Sequence, residues 1–361
     1  MAHMEATILD TNFNIVGIVD DYQSMIWTER YSEAGDFELY GATNSTIASY
    51  CKMGYFVTIP ESNRAMIIES IEVSEETDKS NKILVKGRSL ESILMRRIVW
   101  DQTILTGSVQ NAIYKLIYDS ILNPVDSNRV IPNFYFLQST DTDITSLSFE
   151  SAQFTGDTVY DAIKQFADAF EIGFKIELID GKMIFSLFAG KDRSYSQNVN
   201  PYVVFSDDYD NIVSSDFKNN MSNYQNVALV AGEGEGSERR KIEYYTSNTA
   251  PSGVNRYETF VDARDISSNN GEITDEEYMA ELQNRGDAKL AEVEEDWSFD
   301  CQIDTQHSYQ YGKDYFIGDI LQLIGILGIQ AQARITEFIR CTDTNGYSAY
   351  PQFKIIDVNN D

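Results

Sequence analysis

The sequence predicts a multi-domain, β-rich α+β protein with two related β-barrel domains and two smaller parts, one α+β and one helical. Short apolar strands separated by turn residues dominate both ends of the 361-residue chain, a spacing typical of barrels and sandwiches. In the middle, apolar residues recur at helical spacing. A chain of this length can hold two or three domains with separate cores.

A repeat near the two ends of the chain indicates that the barrels are related. Gly54–Ile59 precedes Ala65–Ile71, and Gly318–Leu323 precedes Ala333–Ile339, so a glycine-led strand comes before the pattern Ala-x-Ile-x-Glu-x-Ile in both places. A polar turn and a third strand follow each pattern. We interpret the pair as a duplicated β-module, and a chance match of short strands is the alternative.

The first barrel is predicted to cover residues 5–100. Thr7–Leu9 and Asn14–Val19 flank a turn, and Met25–Tyr31 alternates apolar and polar side chains before a turn into Phe37–Tyr40. Alternation with a period of two is typical of a strand with one buried face. Several such strands joined by short turns favour a barrel.

Residues 101–200 are predicted to form an α+β domain. Apolar residues keep helical spacing over Val109–Ile121 and over Val159–Phe170, which predicts two amphipathic helices. Asp180-Gly181 then separates two apolar runs. Because this dipeptide accepts the positive φ angles of a type I′ turn, it predicts a β-hairpin.

The second barrel is predicted to be split, with strands in residues 201–248 and 297–361 around a helical insertion at 249–296. Within the insertion, Thr274 and Glu277 have the spacing of a capping box, in which each side chain accepts a backbone N–H at the start of a helix. The pattern therefore predicts a helix that begins just after Thr274.

The charge balance is strongly acidic, with 57 acidic against 28 basic residues and a net charge of −29. Such a surface repels nucleic-acid phosphate and anionic lipid. It suits a basic partner, and simple solubility explains it equally well. No apolar run approaches the length of a membrane span and no secretory signal is visible, so we expect no membrane anchor.

Cysteine and histidine usage argues against a metal or redox centre. Cys51, Cys301 and Cys341 lie far apart without a C-x-x-C spacing, so we expect free thiols. The opening Met1–Met4 has the composition of a cloning remnant, which leaves His307 as the one native histidine. We expect His307 on the surface of a strand, and the scarcity of histidine disfavours triads and metallohydrolases.

Three short motifs have a functional and a structural interpretation. Ala231–Gly236 could be a phosphate loop, but a glycine-rich turn is favoured because no Lys-Ser pair follows it. Arg239–Lys241 could bind an acidic patch on a neighbouring subunit or be a solvated strand end. Asp207, Asp208 and Asp210 could bind calcium, although a charged turn fits better.

Paired carboxylates and aromatic residues were the remaining candidates for chemistry. Glu69 and Glu337 could form a hydrolase pair if they lay within about ten ångströms of each other. The alternative gives them equivalent structural roles, each bonded to an arginine. The 22 tyrosines and 19 phenylalanines allow sugar binding, but cross-strand packing is the more usual role. We therefore predict no catalytic, cofactor-binding or metal site, and no cofactor.

Five segments together resemble a known family. They are Trp27–Leu39, Lys86–Leu90, Tyr224–Glu235, Glu258–Arg264 and Asp314–Asp319. In this order they resemble the tail-tip hub proteins of siphophages and prophages of Gram-positive bacteria. That family is similar in fold to the baseplate hub of contractile-tailed phages and to the N-terminal module of tail-associated lysins.

The resemblance implies a structural protein of the virion. Three subunits with two barrels each would form a ring that matches the sixfold tail tube, around a channel for DNA and the tape-measure protein. The implied partners are two further copies of the chain, the distal tail (tube-adapter) protein, the tape-measure protein and tail-tip or receptor-binding proteins. DNA would pass without specific binding, and assembly would take place in the host cytoplasm.

In larger relatives, a peptidase or glycan-binding extension follows the second barrel. This chain stops just after that barrel, so the resemblance implies no lytic activity, and the family's pattern provides no catalytic residue to transfer. We therefore expect no enzymatic activity. We expect the glycine-led strands and the loop Trp27–Gly35 to contact neighbouring subunits. Two alternatives remain open: a receptor- or glycan-binding tail module, and a carboxylate-based cell-wall glycan hydrolase.

Overall fold

The computed structural model describes residues 4–75, 81–268, 274–293, 296–303, 308–325 and 330–359. His307 lies outside these ranges. The strands, in chain order, are β1 (Ala6–Leu9), β2 (Ile15–Val19), β3 (Ser24–Arg30), β4 (Asp36–Ala42), β5 (Phe56–Thr58), β6 (Ala65–Ser74), β7 (Lys82–Ser89), β8 (Thr103–Ser108), β9 (Phe134–Leu137), β10 (Ser148–Phe154), β11 (Gly173–Ile179), β12 (Lys182–Phe188), β13 (Val204–Ser206), β14 (Ile212–Asn220), β15 (Val227–Ala231), β16 (Lys241–Tyr244), β17 (Glu258–Asp262), β18 (Asp296–Ile303), β19 (Ile320–Ile324), β20 (Gln330–Asp343) and β21 (Gly346–Asn359).

Helices are fewer and mostly short. The α-helices are α1 (Thr46–Tyr50), α2 (Val109–Ile117), α3 (Thr142–Thr145), α4 (Val159–Ala169) and α5 (Asp275–Ala291). A 3-10 helix occupies Leu90–Arg96, and a π-helical turn at Tyr118–Leu122 extends α2. Within the described ranges, none of the helices has both the length and the hydrophobicity needed to cross a bilayer.

Residues 1–215 and 300–361 form one compact unit, and residues 216–299 form another. The first unit contains an eleven-stranded sheet in the order β13-β19-β20-β3-β4-β7-β6-β5-β1-β2, with β21 paired to β20. β20 pairs with β21 along its whole length, while its first half also pairs with β19 and its second half with β3. This long strand joins the terminal segments of the chain in one sheet.

The prediction of two closed barrels is not confirmed. Strands from both ends of the chain belong to one continuous sheet, and the pairing among the described strands runs from β13 to β2 without closing. The physical reason is the pairing of β20 with β3, which connects segments about 300 residues apart in sequence. The β-rich character and the α+β class are as predicted.

The two predicted β-modules follow the same backbone plan. Gly54 and Gly318 both have positive φ angles, 79° and 93°. The Gly54 N–H donates to the Ile68 carbonyl at 2.9 Å, and the Gly318 N–H donates to the Ile335 carbonyl at 2.8 Å. A β-bulge then follows Ile68 in β6 and Ile335 in β20. Each module is therefore a three-stranded meander with a bulge at the same point.

The residues that match in sequence are displaced by one position in these meanders. The sequence pattern aligns Ile67 with Ile335, whereas the hydrogen bonds put Ile68 at the position of Ile335. Because neighbouring residues of a strand face opposite sides, a displacement of one residue exchanges the two faces. Glu69 and Glu337 therefore do not occupy equivalent positions, contrary to the expectation from the pattern.

Residues 101–190 pack as an α+β module within the first unit. The Ser108 hydroxyl accepts the Asn111 N–H at the start of α2, and Thr158 accepts the Asp161 N–H at the start of α4. The hairpin of β11 and β12 turns at Asp180 and Gly181, whose φ angles of 50° and 71° confirm the predicted turn. The apolar faces of α2 and α4 are buried in one hydrophobic cluster with these strands.

The second unit is a sheet with the order β16-β15-β17, covered by α5. Tyr278 and Leu282 of α5 pack against Val230 of the sheet. The predicted capping box is present, with reciprocal hydrogen bonds between Thr274 and Glu277. The loop between β15 and β16 contains the glycine-rich motif, so the interpretation as a turn between antiparallel strands is confirmed.

Candidate functional site

The end of β3 and the loop after it form a buried junction in the first unit. Trp27, Tyr31 and Ala34 are nearly inaccessible to solvent, and Glu33 is the exposed residue of the segment Trp27–Gly35. The prediction that this loop contacts neighbouring subunits is therefore wrong for its buried residues. Their contacts lie within the chain.

Tyr31 is the centre of this junction because both its backbone and its hydroxyl are bonded to other segments. Its N–H donates to the Thr336 carbonyl of β20 at 2.9 Å, and its carbonyl accepts the Phe174 N–H of β11 at 3.1 Å. Its hydroxyl donates to the Glu171 carbonyl at 2.9 Å and accepts the Gly190 N–H at 3.2 Å. One residue thus connects the sheet to the α+β module.

Two glycines make room for the Tyr31 ring. A Cβ atom added at Gly318 would stand 2.3 Å from the ring, and one added at Gly173 would stand 2.5 Å from it. Real Cβ atoms do not approach this closely, so any larger residue would displace the tyrosine. The glycine that leads β19 is therefore required by packing as well as by its φ angle.

The rest of the loop is hydrogen-bonded to other parts of the first unit. The Ala34 N–H donates to the Tyr160 hydroxyl of α4 at 3.0 Å, and the Gly35 N–H donates to Ser89 Oγ at the end of β7 at 2.7 Å. Burial raises the pKa of the Tyr160 hydroxyl, which therefore stays protonated near neutral pH. These bonds satisfy backbone donors that burial would otherwise leave without a partner.

Four buried charges lie beside this junction. Arg340 of β20 donates to Glu29 of β3 at 2.7 Å, and Arg64 contacts Glu91 at 3.2 Å and Glu29 at 3.9 Å. All four side chains are less than a tenth exposed. Two positive and two negative charges cancel, which is the condition under which charges tolerate a site of low dielectric constant.

The network connects the modules as well as the strands. Glu91 Oε1 also accepts the Ile176 N–H of β11 at 2.9 Å, while its Oε2 has no hydrogen-bond partner among the described residues. Burial alone would raise the pKa of Glu29, but the charges of Arg340 and Arg64 outweigh it and hold that pKa below its usual value. Glu29 is therefore ionised at neutral pH.

A cavity of about 430 Å³ lies against this network, with Tyr311 and Phe316 in its wall. Its polar side chains are largely bonded to each other. Arg193 binds Asp319 at 2.6 Å, and Lys175 binds Glu177 at 2.9 Å. An arrangement in which acids and bases neutralise one another holds segments together and offers little free charge to a ligand.

The two glutamates that sequence analysis weighed as a hydrolase pair belong to separate ion pairs. Glu69 binds Arg88 at 2.6 Å, and Glu337 binds Arg30 at 2.8 Å. Their strands, β6 and β20, are separated by β3, β4 and β7 in the sheet. Each carboxylate bonds an arginine, as the structural alternative predicted, and the two do not share a partner.

The basic cluster after the glycine-rich loop also binds acids of its own unit. Arg239 contacts Asp262 at 2.5 Å, and Arg240 contacts Asp275 at 2.9 Å while it stacks on the Tyr278 ring at 4.0 Å. These intramolecular bonds leave Lys241 as the exposed residue of the motif. Both arginines of the motif are therefore paired with acids of the same chain, and Lys241 is the residue left accessible to a neighbouring subunit.

The thiols and acidic turns give no metal centre in the described part of the chain. Cys51 and Cys341 are free, and burial raises the pKa of the Cys51 thiol to about 12, so it is protonated and unreactive. Among the described residues, no three His, Cys, Asp or Glu side chains converge as metal ligands would. Asp208 lies within a short 3-10 turn, Asp207–Tyr209, and Asp210 directly follows it; both aspartates are exposed.

Sequence analysis missed the role of the buried network. Glu29, Arg64, Glu91 and Arg340 are charged residues on segments that are far apart in the chain, and nothing local marks them as buried. A signal did exist for Tyr31, which lies inside the segment Trp27–Leu39 that carried part of the family resemblance.

Comparison with known proteins agrees with the fold. Residues 5–353 match the family model described as Siphovirus ReqiPepy6 Gp37-like protein. No curated protein matches the sequence. Three solved structures are similar over nearly their full lengths, and at this low identity the similarity concerns the fold alone.

The first is the tail protein from Neisseria meningitidis MC58, with 15% identity, a TM-score of 0.58, and coverage of 99% of this chain and 97% of that one. The second is the 43 kDa tail protein of prophage MuSo2 from Shewanella oneidensis, with 12% identity, a TM-score of 0.59 and coverage of 98% of both chains. The third is prophage tail protein gp18 from Listeria monocytogenes EGD-e, with 13% identity, a TM-score of 0.51, and coverage of 99% and 95%.

Proposed function

The chain belongs to the family of siphovirus ReqiPepy6 Gp37-like proteins, and we propose that this phage tail protein is the hub of a tail tip. In this function three copies form a ring that joins the tail tube to the distal tip. The observation that carries the proposal is the repeated meander, with its positive-φ glycine and its bulge at the same point. A chain with two such modules lets threefold assembly meet a sixfold tube.

The charge of the chain supports a channel for DNA through this ring. A net charge of −29 disfavours adhesion of phosphate to the protein surface, since like charges repel. The tape-measure protein would occupy the same channel before DNA passes. The distal tail protein would bind the tube side of the ring, and tail-tip or receptor-binding proteins would bind the opposite side.

The proposal contains no catalytic step, in keeping with a family of structural tail proteins. Assembly takes place in the host cytoplasm before the protein reaches the virion. β15 pairs with both β16 and β17, so the chain does not divide at residue 248. As part of the proposal we therefore keep the parts 5–100 and 101–200 and replace the predicted boundary at 248 by the unit 216–299, which gives a revised division. Limited proteolysis tests it, because cleavage should concentrate between these segments.

The mass of the native particle tests the trimer. Light scattering over a concentration series should give a mass of three chains. We expect each pair of subunits in the trimer to bury more than about 2,000 Å², as obligate assemblies do. Electron microscopy of the same sample should show a ring with an open or plugged centre. A monomer at every concentration would count against self-assembly of the ring.

A further inference from the structure

A groove with an exposed tryptophan lies where the 3-10 helix Leu90–Arg96 leads into β8. It has a volume of about 750 Å³, within the range of ligand sites. Trp100, Ile98 and Val125 line it with apolar surface, and the ends of α2 and of the π-helical turn form its other wall. All of these residues belong to the first compact unit.

Trp100 is 67% exposed, whereas Trp27 is fully buried. Its ring is nevertheless held in place. The Arg129 guanidinium lies 5.2 Å from the ring centroid, a cation–π contact. Arg129 Nη2 donates to the Ile98 carbonyl at 2.7 Å, and Arg97 Nε donates to the Arg129 carbonyl at 2.8 Å. These hydrogen bonds fix the Arg129 side chain, and its contact with the indole reduces the ordering that a ligand would have to impose on Trp100.

The charged residues of the groove are balanced. They are three arginines and three aspartates: Arg96, Arg97, Arg129, Asp101, Asp119 and Asp126. The balance stands out in a chain with a net charge of −29. It disfavours phosphate and anionic polymers, which need an excess of positive charge. Asp119 is paired with Lys115, and Arg97 and Arg129 donate to backbone carbonyls. Asp101 and Arg96 are therefore the acceptor and the donor that we assign to a ligand.

We propose that this groove is a binding site for a neutral saccharide. A pyranose ring has an apolar C–H face that stacks on an indole, and hydroxyl groups at its edge that both donate and accept. Trp100 provides the stacking surface, Asp101 accepts hydroxyl protons, and Arg96 donates to hydroxyl oxygens. A nucleic acid would be repelled by the acidic chain, and a protein contact is an outcome of the test below.

Binding of soluble oligosaccharides to the full chain tests the site. The probes are the tetramers of N-acetylglucosamine and of glucose, followed by saturation-transfer NMR and by tryptophan fluorescence. We expect at least one probe to bind, and we expect Trp100→Ala to weaken that binding by about tenfold or more, the effect of removing an aromatic stacking surface. Asp101→Asn should weaken it less.

Phe260→Ala is the matched control, because Phe260 is 56% exposed and has the Arg239 guanidinium 5.6 Å from its ring. It should leave saccharide binding unchanged. The proposal is overturned if neither oligosaccharide binds, or if Trp100→Ala and Phe260→Ala weaken the binding equally. It is also overturned if Trp100→Ala changes the particle mass while no saccharide binds, which would assign the groove to a protein contact. The binding of saccharide by the wild type does not depend on the threefold assembly, so the hub function is tested separately by the mass of the wild-type particle.

Discussion

The meander β5-β6-β7 and the meander β19-β20-β21 share a backbone plan but have different surroundings. In the first, a Cβ atom at Gly54 would meet open space, while in the second a Cβ atom at Gly318 would meet Tyr31. β6 ends in exposed residues, including Val73 at 64%. The second half of β20 instead contains the buried Arg340 and Thr342, because β3 pairs with it.

The difference shows how one plan serves two purposes. The first half of β6 is buried on both faces, with Met66 in one apolar cluster and Ile67 in the other. β20 instead alternates buried and partly buried residues along its length. The same pattern of backbone hydrogen bonds forms both meanders. The neighbouring segments determine whether the central strand ends in exposed residues, as β6 does, or is buried against another strand, as β20 is.

Removing the buried arginine of the C-terminal meander should have the largest effect. Arg340→Met leaves Glu29 buried without its closest partner, which should lower the free energy of unfolding by about 3–5 kcal/mol. Arg88→Met is the matched control, because the Arg88–Glu69 pair is partly exposed and such pairs contribute about 0–1 kcal/mol. Urea unfolding measures both, and equal losses would contradict the account.

The next largest effect should be the difference in stability between substitutions at Gly54 and at Gly318. Gly54→Ala and Gly318→Ala both force a side chain into a left-handed conformation, at a cost of about 1–2 kcal/mol. Gly318→Ala should lose about 1–3 kcal/mol more, because its Cβ overlaps Tyr31. Thermal unfolding compares the variants. Tyr31→Ala should cost less stability in the Gly318→Ala variant than in the wild type. If the stability losses of the two substitutions simply add, the contact between Gly318 and Tyr31 is not supported.

The pH dependence of stability should depend on Glu29. Its pKa is lowered in the folded chain from an ordinary value of 4.5, so the ionised form stabilises the fold above that pH. This contribution falls as the pH drops below about 4.5 and vanishes below the folded pKa. The stability difference between the wild type and Glu29→Gln should therefore shrink in acid by at most about 1.4 kcal/mol per pH unit. A difference that stays constant down to the acid transition would refute this assignment.

The smallest effects are expected for the two glutamates of the repeated pattern. Glu69→Gln removes partly exposed ion pairs with Arg88 and Arg96, and Glu337→Gln removes one with Arg30. Each substitution should cost about 1 kcal/mol or less. Neither the wild type nor either variant should release sugar from purified cell walls, because the two carboxylates do not share a site. Release of sugar by the wild type that is lost in either variant would revive the hydrolase alternative.

Local features of the fold could be predicted from sequence, and long-range ones could not. The turn at Asp180 and the helix start at Thr274 follow from the chemistry of a few adjacent residues. The pairing of β20 with β3 depends on residues near opposite ends of the chain. The displacement of the pattern by one residue follows from backbone hydrogen bonds, which the side chains of Ile67 and Ile335 do not reveal.

The candidate site likewise depends on contacts between residues far apart in the chain, which sequence patterns do not reveal. The resemblance carried by Trp27–Leu39 pointed to the right segment, but its role was predicted as a contact between subunits. Glu29 and Arg340 become partners only after the sheet forms. Their burial could not be predicted from composition, because charged residues are usually exposed.

We propose that this chain, with its two similar meanders, forms a threefold ring at the end of the tail. Electron cryomicroscopy of assembled tails that contain this protein tests it most directly, since the map counts the copies and shows their position. We expect three copies around a channel, directly below the tail tube. Six copies, a single copy, or a position away from the axis of the tube would contradict it.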